Sequence, residues 1–244
     1  MKDNKKHKKA EYGILITGLI ILLAVACIIA LCAGQYSVSV PEVTKILASR
    51  FVNVTKTWSN TAEGVVFTLR LPRIIGAVLV GSALSLSGAA YQGVFKNPLV
   101  APDLLGVSSG ACVGASVAIL LHLNSFGVQA MAFVAGILAV GLTLFIPRLI
   151  KNTNMTMLVL SGIIVKGIMD SVMGIIKYVA DPETELQSIT YWQLGSLTKV
   201  LPKDLFTVGP VIVAASVIIF LLRWRINILS LGDREAKTLG VSVT

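Results

Sequence analysis

Six long apolar runs, separated by short polar segments, constrain the fold of this chain more strongly than any other sequence feature. A helix needs about 20 consecutive apolar residues to cross a bilayer core of about 30 Å. Backbone groups in lipid must be hydrogen-bonded within the protein, so such runs predict membrane-spanning helices. We therefore expect an all-α, polytopic transmembrane helical bundle, with spans at Tyr12–Ala33, Val65–Tyr91, Leu104–Leu123, Phe126–Ile146, Met155–Val179 and Leu205–Leu222.

The composition of the 244 residues agrees with this class of protein. Hydrophobic residues make up 55% of the chain and charged residues 14%, whereas a soluble domain carries about 25% charged residues. The mean hydropathy is +0.83. The charged residues behind the net charge of +9 lie mostly between the apolar runs. This pattern favours a role in membrane orientation, and we expect no nucleic acid partner.

The basic residues before the first span predict its direction. This tail contains five lysines, Lys2, Lys5, Lys6, Lys8 and Lys9. Loops rich in Lys and Arg stay in the cytoplasm, so residues 1–11 should form a cytoplasmic basic tail. Residues 12–225 should then form the transmembrane bundle, and residues 226–244 a cytoplasmic segment. The first run is longer than the apolar part of a signal peptide, which has about 7–15 residues, so we expect it to remain as a span.

The long loop after the first span contains a predicted helix. Pro41 suits the first turn of a helix. The apolar residues that follow would share one face, and these are Val43, Ile46, Leu47 and Phe51. We expect a short helix that lies on the outer membrane surface.

Small residues recur every four positions in two of the predicted spans. The second span has Gly81, Ser85, Ala89 and Gly93, and the third has Gly106, Gly110, Gly114 and Ala118. Helices in lipid approach one another most closely where such residues meet. We expect both stripes to be packing surfaces.

Lys166 and Asp170 are the two charged residues that this assignment places deep within a span. A charge at mid-bilayer costs about 2.5–3.5 kcal/mol on insertion scales. Because residues four apart lie on one face of a helix, the two charges are expected to pair. The pair then either stabilises the structure or lines a pathway for cargo.

The sequence contains no pattern that would hold a nucleotide or a metal ion. No GxxxxGK[ST] phosphate loop occurs. The three cysteines and two histidines lack the spacing of metal ligands, and these residues are Cys27, Cys32, Cys112, His7 and His122. No nucleophile lies next to a base in a recognisable motif. We expect the chain to bind no cofactor and to be no enzyme.

Several motifs occur in order along the chain: Arg70-Leu71-Pro72-Arg73, the segment 81–93, Asn97-Pro98-Leu99, the segment 105–111, the segment 191–197 and the segment 229–240. Together they closely resemble the FecCD-type permeases of ABC importers for iron-siderophore, haem and cobalamin. The family pattern has ten spans, so this chain resembles its N-terminal six-span portion.

The resemblance implies a function and a set of partners. The chain would be the permease subunit of a binding-protein-dependent importer in a bacterial or archaeal cell (inner) membrane. It would move iron-siderophore or a similar chelate by alternating access, with cobalamin and haem as other cargoes. A second permease chain, two ATPase subunits that carry ATP and Mg, and an extracytoplasmic binding protein would complete the transporter. A secondary transporter driven by an ion gradient is the alternative, and the two intramembrane charges favour it.

The resemblance also assigns three groups of site residues. Arg70 and Arg73, expected at the electropositive N-terminus of the second span, would dock the binding protein, or else hold lipid phosphates. Asn97 and Leu99 would form a cytoplasmic gate, or else a plain proline turn. The coupling helix, which sits in a cleft of the ATPase in this family, would contain Gly232, Asp233, Glu235, Ala236, Leu239 and Gly240.

Overall fold

The computed structural model describes residues 2–152 and 154–231, with side chains from residue 11 onwards. The described residues form helices and no strands. The α-helices are α1 (Lys2–Cys32), α2 (Val40–Ala48), α3 (Asn60–Gly64), α4 (Leu71–Phe95), α5 (Val107–Leu120), α6 (Ser125–Leu149), α7 (Met155–Val179), α8 (Glu185–Leu194), α9 (Pro202–Leu221) and α10 (Arg223–Leu231). A π-helical segment, Val65–Arg70, joins α3 to α4, and 3-10 turns form at Pro102–Leu105 and Leu197–Lys199.

Among the described residues, five helices are long and apolar enough to cross a membrane, and they are Glu11–Cys32, Asn60–Phe95, Ser125–Leu149, Met155–Val179 and Pro202–Leu221. They correspond to five of the six predicted spans. The remaining predicted span is α5, which has 14 residues and is therefore about 21 Å long. The helix starts late because Gly106, with φ +74, separates it from the 3-10 turn. The structure thus confirms an all-α membrane protein but not the count of six spans.

Contacts divide the chain into two units. Unit 1 comprises Met1–Val80 and Leu197–Ile212, and unit 2 comprises Gly81–Ser196 and Val213–Thr244.

In unit 1, the second membrane helix starts earlier than the sequence suggested. The hydroxyl of Ser59 accepts a hydrogen bond of 3.0 Å from the backbone N–H of Ala62, which caps the helix at Asn60. The helix then continues for 36 residues to Phe95. Arg70 and Arg73 therefore lie well inside a helix, and the expectation that they sit at an electropositive N-terminus was wrong.

The predicted helix in the outer loop is present as α2, and it packs against its own chain. Val43 and Ile46 are buried in a cluster with Leu31 of α1 and Val66 of the π-helical segment. Phe51 lies beyond the end of α2 and is 90% exposed. The apolar face of α2 therefore contributes to the core of unit 1 rather than resting only on lipid.

Close packing of small residues holds α5 against α6 in unit 2. A Cβ added to Gly110 would collide with Ala139, and one added to Gly114 would collide with the carbonyl oxygen of Met131. Gly162 of α7 lies equally close to the carbonyl oxygen of Leu104. The prediction of a packing stripe is confirmed for the third helix. The stripe of the second helix is packed at Gly93, where an added Cβ would lie 3.1 Å from Ile226, but it is open at Gly81, where nothing lies within 4 Å.

Replacement of Gly114 by Ala tests this packing. The added methyl group has no space, and overpacking of this kind costs about 1–3 kcal/mol. The variant should show a lower Tm than the parent in detergent. Gly141→Ala is the matched control, because nothing lies within 4 Å of a Cβ at that position. An equal Tm for the two variants would contradict close packing of α5 on α6.

Candidate functional site

Arg70 holds the C-terminal end of α1 through its guanidinium group. Nη1 donates hydrogen bonds of 2.7 Å to the carbonyl oxygen of Leu31 and 3.1 Å to that of Cys32, and Nη2 donates to the carbonyl oxygen of Tyr36. Arg70 is only 9% exposed. The last carbonyl groups of a helix have no partner within the helix and carry partial negative charge. The buried guanidinium therefore satisfies both hydrogen bonding and charge at this end of α1.

Gly34 makes this contact possible, and no sequence pattern indicated its role. Its φ is +150, a conformation that L side chains rarely adopt. A Cβ at this position would lie 2.5 Å from Nη2 of Arg70. The hydroxyl of Tyr36 also shares a hydrogen bond of 3.1 Å with Ser59 Oγ, which links the turn after α1 to the start of α3.

Arg73 lines a cleft in unit 1, and not all of its guanidinium nitrogens form hydrogen bonds within the chain. Its Nε is buried and, among the residues that the structure describes, has no hydrogen-bond partner. The cleft has a volume of about 630 Å³ and is lined by both arginines together with residues of α1 and the turn Leu197–Lys199. The structure therefore brings Arg70 and Arg73 to one place but gives them different surroundings.

Lys166 and Asp170 do not form the expected ion pair. Both residues are exposed on α7, and no salt bridge joins them within the described part of the chain. Nothing lies within 4 Å of a Cβ added to Gly167 or Gly174, so this side of α7 is open. On an open surface, nothing holds a flexible lysine side chain against a carboxylate four residues away. The spacing of four residues alone therefore did not predict the ion pair correctly.

Asn97 and Leu99 form the turn that the prolines predicted. The side-chain oxygen of Asn97 accepts a hydrogen bond of 2.9 Å from the backbone N–H of Leu99, and Lys96 before it has φ +52. Leu99 is 89% exposed. The turn therefore presents a bare apolar side chain, whereas the gate role of these two residues stays a prediction.

The predicted coupling residues, Gly232, Asp233, Glu235, Ala236, Leu239 and Gly240, lie outside the described residues. The chain leads towards them through α10, which ends at Leu231. In the described residues, no group of three or more His, Cys, Asp or Glu side chains could hold a metal ion.

Polar contacts fix the start of α8 after the last turn of α7. Asp181 Oδ1 accepts hydrogen bonds of 2.8 Å from the Thr184 hydroxyl and 2.9 Å from the Thr184 backbone N–H. These bonds hold the pKa of the Asp181 carboxyl below its usual value. His122 Nε2 lies 3.5 Å from Glu185 Oε1. Sequence patterns did not indicate the contact between His122 and Glu185, because these two residues lie 63 positions apart along the chain.

Comparison with known proteins gives a consistent result. A sequence model of the FecCD transport family matches residues 22–244. A molybdate import system permease protein of Haemophilus influenzae is 35% identical over 234 residues, which cover 96% of this chain and 68% of that protein. A probable iron chelatin transport system permease protein of Helicobacter pylori is 39% identical over 178 residues, which cover 73% of this chain but only 53% of that protein.

A solved structure has the same fold. It shows an inward-facing conformation of an ABC transporter of the metal-chelate type, and it has a TM-score of 0.80 and 32% sequence identity. The match covers 95% of this chain and 69% of that chain. The chain thus spans between half and about two thirds of the length of these proteins.

Two single variants and their combination test the contact between Gly34 and Arg70. Gly34→Ala displaces the guanidinium and Arg70→Gln removes it, so each should lower the free energy of unfolding by about 1–3 kcal/mol. Because both variants break one contact, the double variant should cost little more than either. Thermal unfolding in detergent measures this, with Gly13→Ala of α1 as the control, where a Cβ meets nothing within 4 Å. Fully additive losses would contradict the contact.

Proposed function

The chain belongs to the FecCD transport family, and we propose that it acts as the transmembrane permease subunit of a binding-protein-dependent ABC importer. The observation that carries this proposal is the family match over residues 22–244, a range that includes α4 and every later long apolar helix. The two relatives described above are permease proteins of transport systems. ATP hydrolysis is assigned to a separate partner subunit.

We propose six membrane crossings with a cytoplasmic N-terminus. The short helix α5 would complete the third crossing together with the 3-10 turn Pro102–Leu105. A turn of four residues adds about 8 Å to the helix length of about 21 Å, and the sum approaches the bilayer core of about 30 Å. This count returns the chain to the cytoplasm after α9.

The proposed transporter contains two permease chains, two ATPase subunits and an extracytoplasmic binding protein. Closure of the ATPase subunits would move the segment Gly232–Gly240 and reorient the permeases by alternating access. The exposed Leu99 suits a gate that closes against the partner permease, with Asn97 holding the turn in shape. The cargo we propose is an iron-siderophore or similar chelate. The molybdate relative indicates that permeases this similar also serve cargo of other chemistry.

Lys166 and Asp170 are proposed to line the translocation pathway. Both are exposed on a helix that is apolar enough to cross the membrane, and contact with lipid at that depth is costly. This side of α7 must therefore face protein or water. The open glycines beside them favour a smooth wall along which a bulky chelate could pass.

Docking of the binding protein is proposed at the outer end of unit 1. Arg70 donates hydrogen bonds to its own chain, so we assign it the role of supporting this surface rather than that of a direct contact. The direct contact with a carboxylate that the resemblance assigned to Arg70 and Arg73 stays a prediction.

Removal of the coupling segment tests the proposed function. Co-expressed with its ATPase, the intact chain should retain the ATPase on purification, and deletion of residues 232–240 should abolish that retention. Replacement of Asp3 and Asn4 by serine is the matched control, because these residues lie in the tail on the same proposed face and the lysines that predict the orientation are kept. ATPase retention by the deletion variant would contradict the proposal and favour transport driven by an ion gradient.

Charge-neutral replacement tests the pathway role. In cells with the complete transporter, the double variant Lys166→Met and Asp170→Asn should lower cargo uptake about tenfold, which corresponds to about 1.4 kcal/mol. Expression should not change, because the two side chains form no ion pair within the chain. Ser171→Ala on the same helix is the control, since its hydroxyl bonds only to the carbonyl oxygen of Gly167 among the described residues. Unchanged uptake by the double variant would remove the pathway role.

A further inference from the structure

We propose that His122 and Glu185 form a pH-dependent latch, which fastens the start of α8 to the end of α5 when the histidine is protonated. The imidazole Nε2 lies 3.5 Å from Glu185 Oε1. Histidine side chains gain their proton as the pH falls from about 8 to about 5, whereas free carboxyl groups stay charged down to about pH 4. The two groups therefore attract each other as ions only on the acid side of this range.

A neutral histidine would hold Glu185 only weakly. Hydrogen bonds from a ring N–H to an oxygen are usually about 2.7–3.2 Å long, so a contact of 3.5 Å depends mainly on charge. The latch is therefore closed at low pH, and the contact is lost as the pH rises through the titration of the histidine.

The backbone at the end of α5 holds His122 in position. Its N–H donates a hydrogen bond of 2.9 Å to the carbonyl oxygen of Ile119, and the N–H of Leu123 donates one of 3.0 Å to that of Ala118. These two bonds form a Schellman motif, in which the residue after the helix is left-handed and usually glycine. His122 has φ +51, which strains an L side chain. Glycine would relieve this strain but could not reach Glu185.

Glu185 is fixed from the other side of the contact. Its side chain is 17% exposed, and Oε2 accepts a hydrogen bond of 3.0 Å from the backbone N–H of Asp181. Glu185 is the first residue of α8. One turn later, Ile189 is fully buried in an apolar cluster with residues of α5 and α7. The latch thus adds a contact that depends on pH to an apolar contact that does not.

The charged groups around the latch leave the histidine as the group that titrates. The turn before α8 carries Asp181 and Glu183, and hydrogen bonds from Thr184 hold the pKa of the Asp181 carboxyl below its usual value. Lys177 of α7 donates a hydrogen bond of 2.5 Å to Gln193, near the other end of α8. The remaining ionisable side chains of α5 to α8 are Cys112, Arg148, Lys166, Asp170, Tyr178 and Tyr191. Histidine is the side chain that ordinarily changes charge between pH 5 and 8.

The proposed six crossings place the latch outside the cell, where the surroundings set the pH. Only this placement rests on the proposed function. Both residues of the latch lie in unit 2, so the purified chain is sufficient for a test.

Amide hydrogen exchange of the full-length chain in detergent tests the latch. Mass spectrometry would follow residues 185–194 at about pH 5.5 and about pH 7.5, with the intrinsic effect of pH on exchange corrected. Protection in the parent should fall about threefold at the higher pH, the size expected for one partly exposed ion pair. His122→Asn should show the lower protection at both pH values, and Asn tolerates the left-handed backbone. Glu185→Gln should behave in the same way while it still accepts the hydrogen bond from Asp181.

Two further variants separate the latch from other effects of pH. His7→Asn is the matched control, because it removes the other histidine of the chain, and it should keep the pH dependence of the parent. His122→Lys should keep α8 protected at both pH values, since lysine stays charged. Lysine is also found at positive φ elsewhere in the chain, at Lys96 and Lys151.

The proposal is overturned if folded His122→Asn or Glu185→Gln keeps the pH dependence of the parent. Loss of the pH dependence in His7→Asn, or protection in His122→Lys that still falls with pH, would assign the effect to another group and would also overturn it. The experiment contains no ATPase, binding protein or cargo, so its failure leaves the proposed function untouched.

Discussion

The hydrogen bonds from the Arg70 guanidinium to the last carbonyl groups of α1 join the first two membrane helices of unit 1. Those carbonyl groups have no partner within their own helix, so they need donors from elsewhere in the protein. Arg70 supplies them and meets the negative end of the helix with a buried positive charge. The contact places the end of α1 beside Arg70. Arg70 lies ten residues after Asn60, which is the first residue of the long helix. The long helix has 36 residues and is therefore about 54 Å long, which exceeds a bilayer core of about 30 Å.

Unit 2 is held together by a different kind of contact. Gly110, Gly114 and Gly162 let helix backbones approach within distances that a single methyl group would prevent. This packing involves Gly162 of α7, four residues before Lys166, whereas the side chains of Lys166 and Asp170 are exposed. A membrane helix that is tightly packed at one end and carries two exposed charged side chains beyond that contact is suited to a subunit that closes around a pathway with a partner. The proposed pathway role of Lys166 and Asp170 rests on this exposure.

The sequence predicted the parts of the fold that depend on hydrophobicity alone. Five of the six apolar runs are long membrane helices, and α2 forms where Pro41 indicated. Local hydrogen bonds and backbone angles determined where the second and third membrane helices begin. The Ser59 cap moved the start of the second membrane helix to Asn60, and the positive φ of Gly106 shortened the third. Motifs identified the residues of the candidate site but not their roles. Motif spacing could not show that the Arg70 guanidinium donates hydrogen bonds to carbonyl groups 34 to 39 residues earlier in the chain.

Labelling from each side of the membrane tests the proposed six crossings most directly. Whether two labelled sites lie on the same face depends on whether α5 crosses the membrane. With Cys27, Cys32 and Cys112 replaced by alanine, single cysteines at Asn53 and at Thr238 can be treated with a membrane-impermeant maleimide. Six crossings predict that the Asn53→Cys variant reacts in intact cells and that Thr238→Cys reacts only in inverted vesicles. If α5 does not cross, four crossings separate the two sites and both would react from the same face, which would contradict the account.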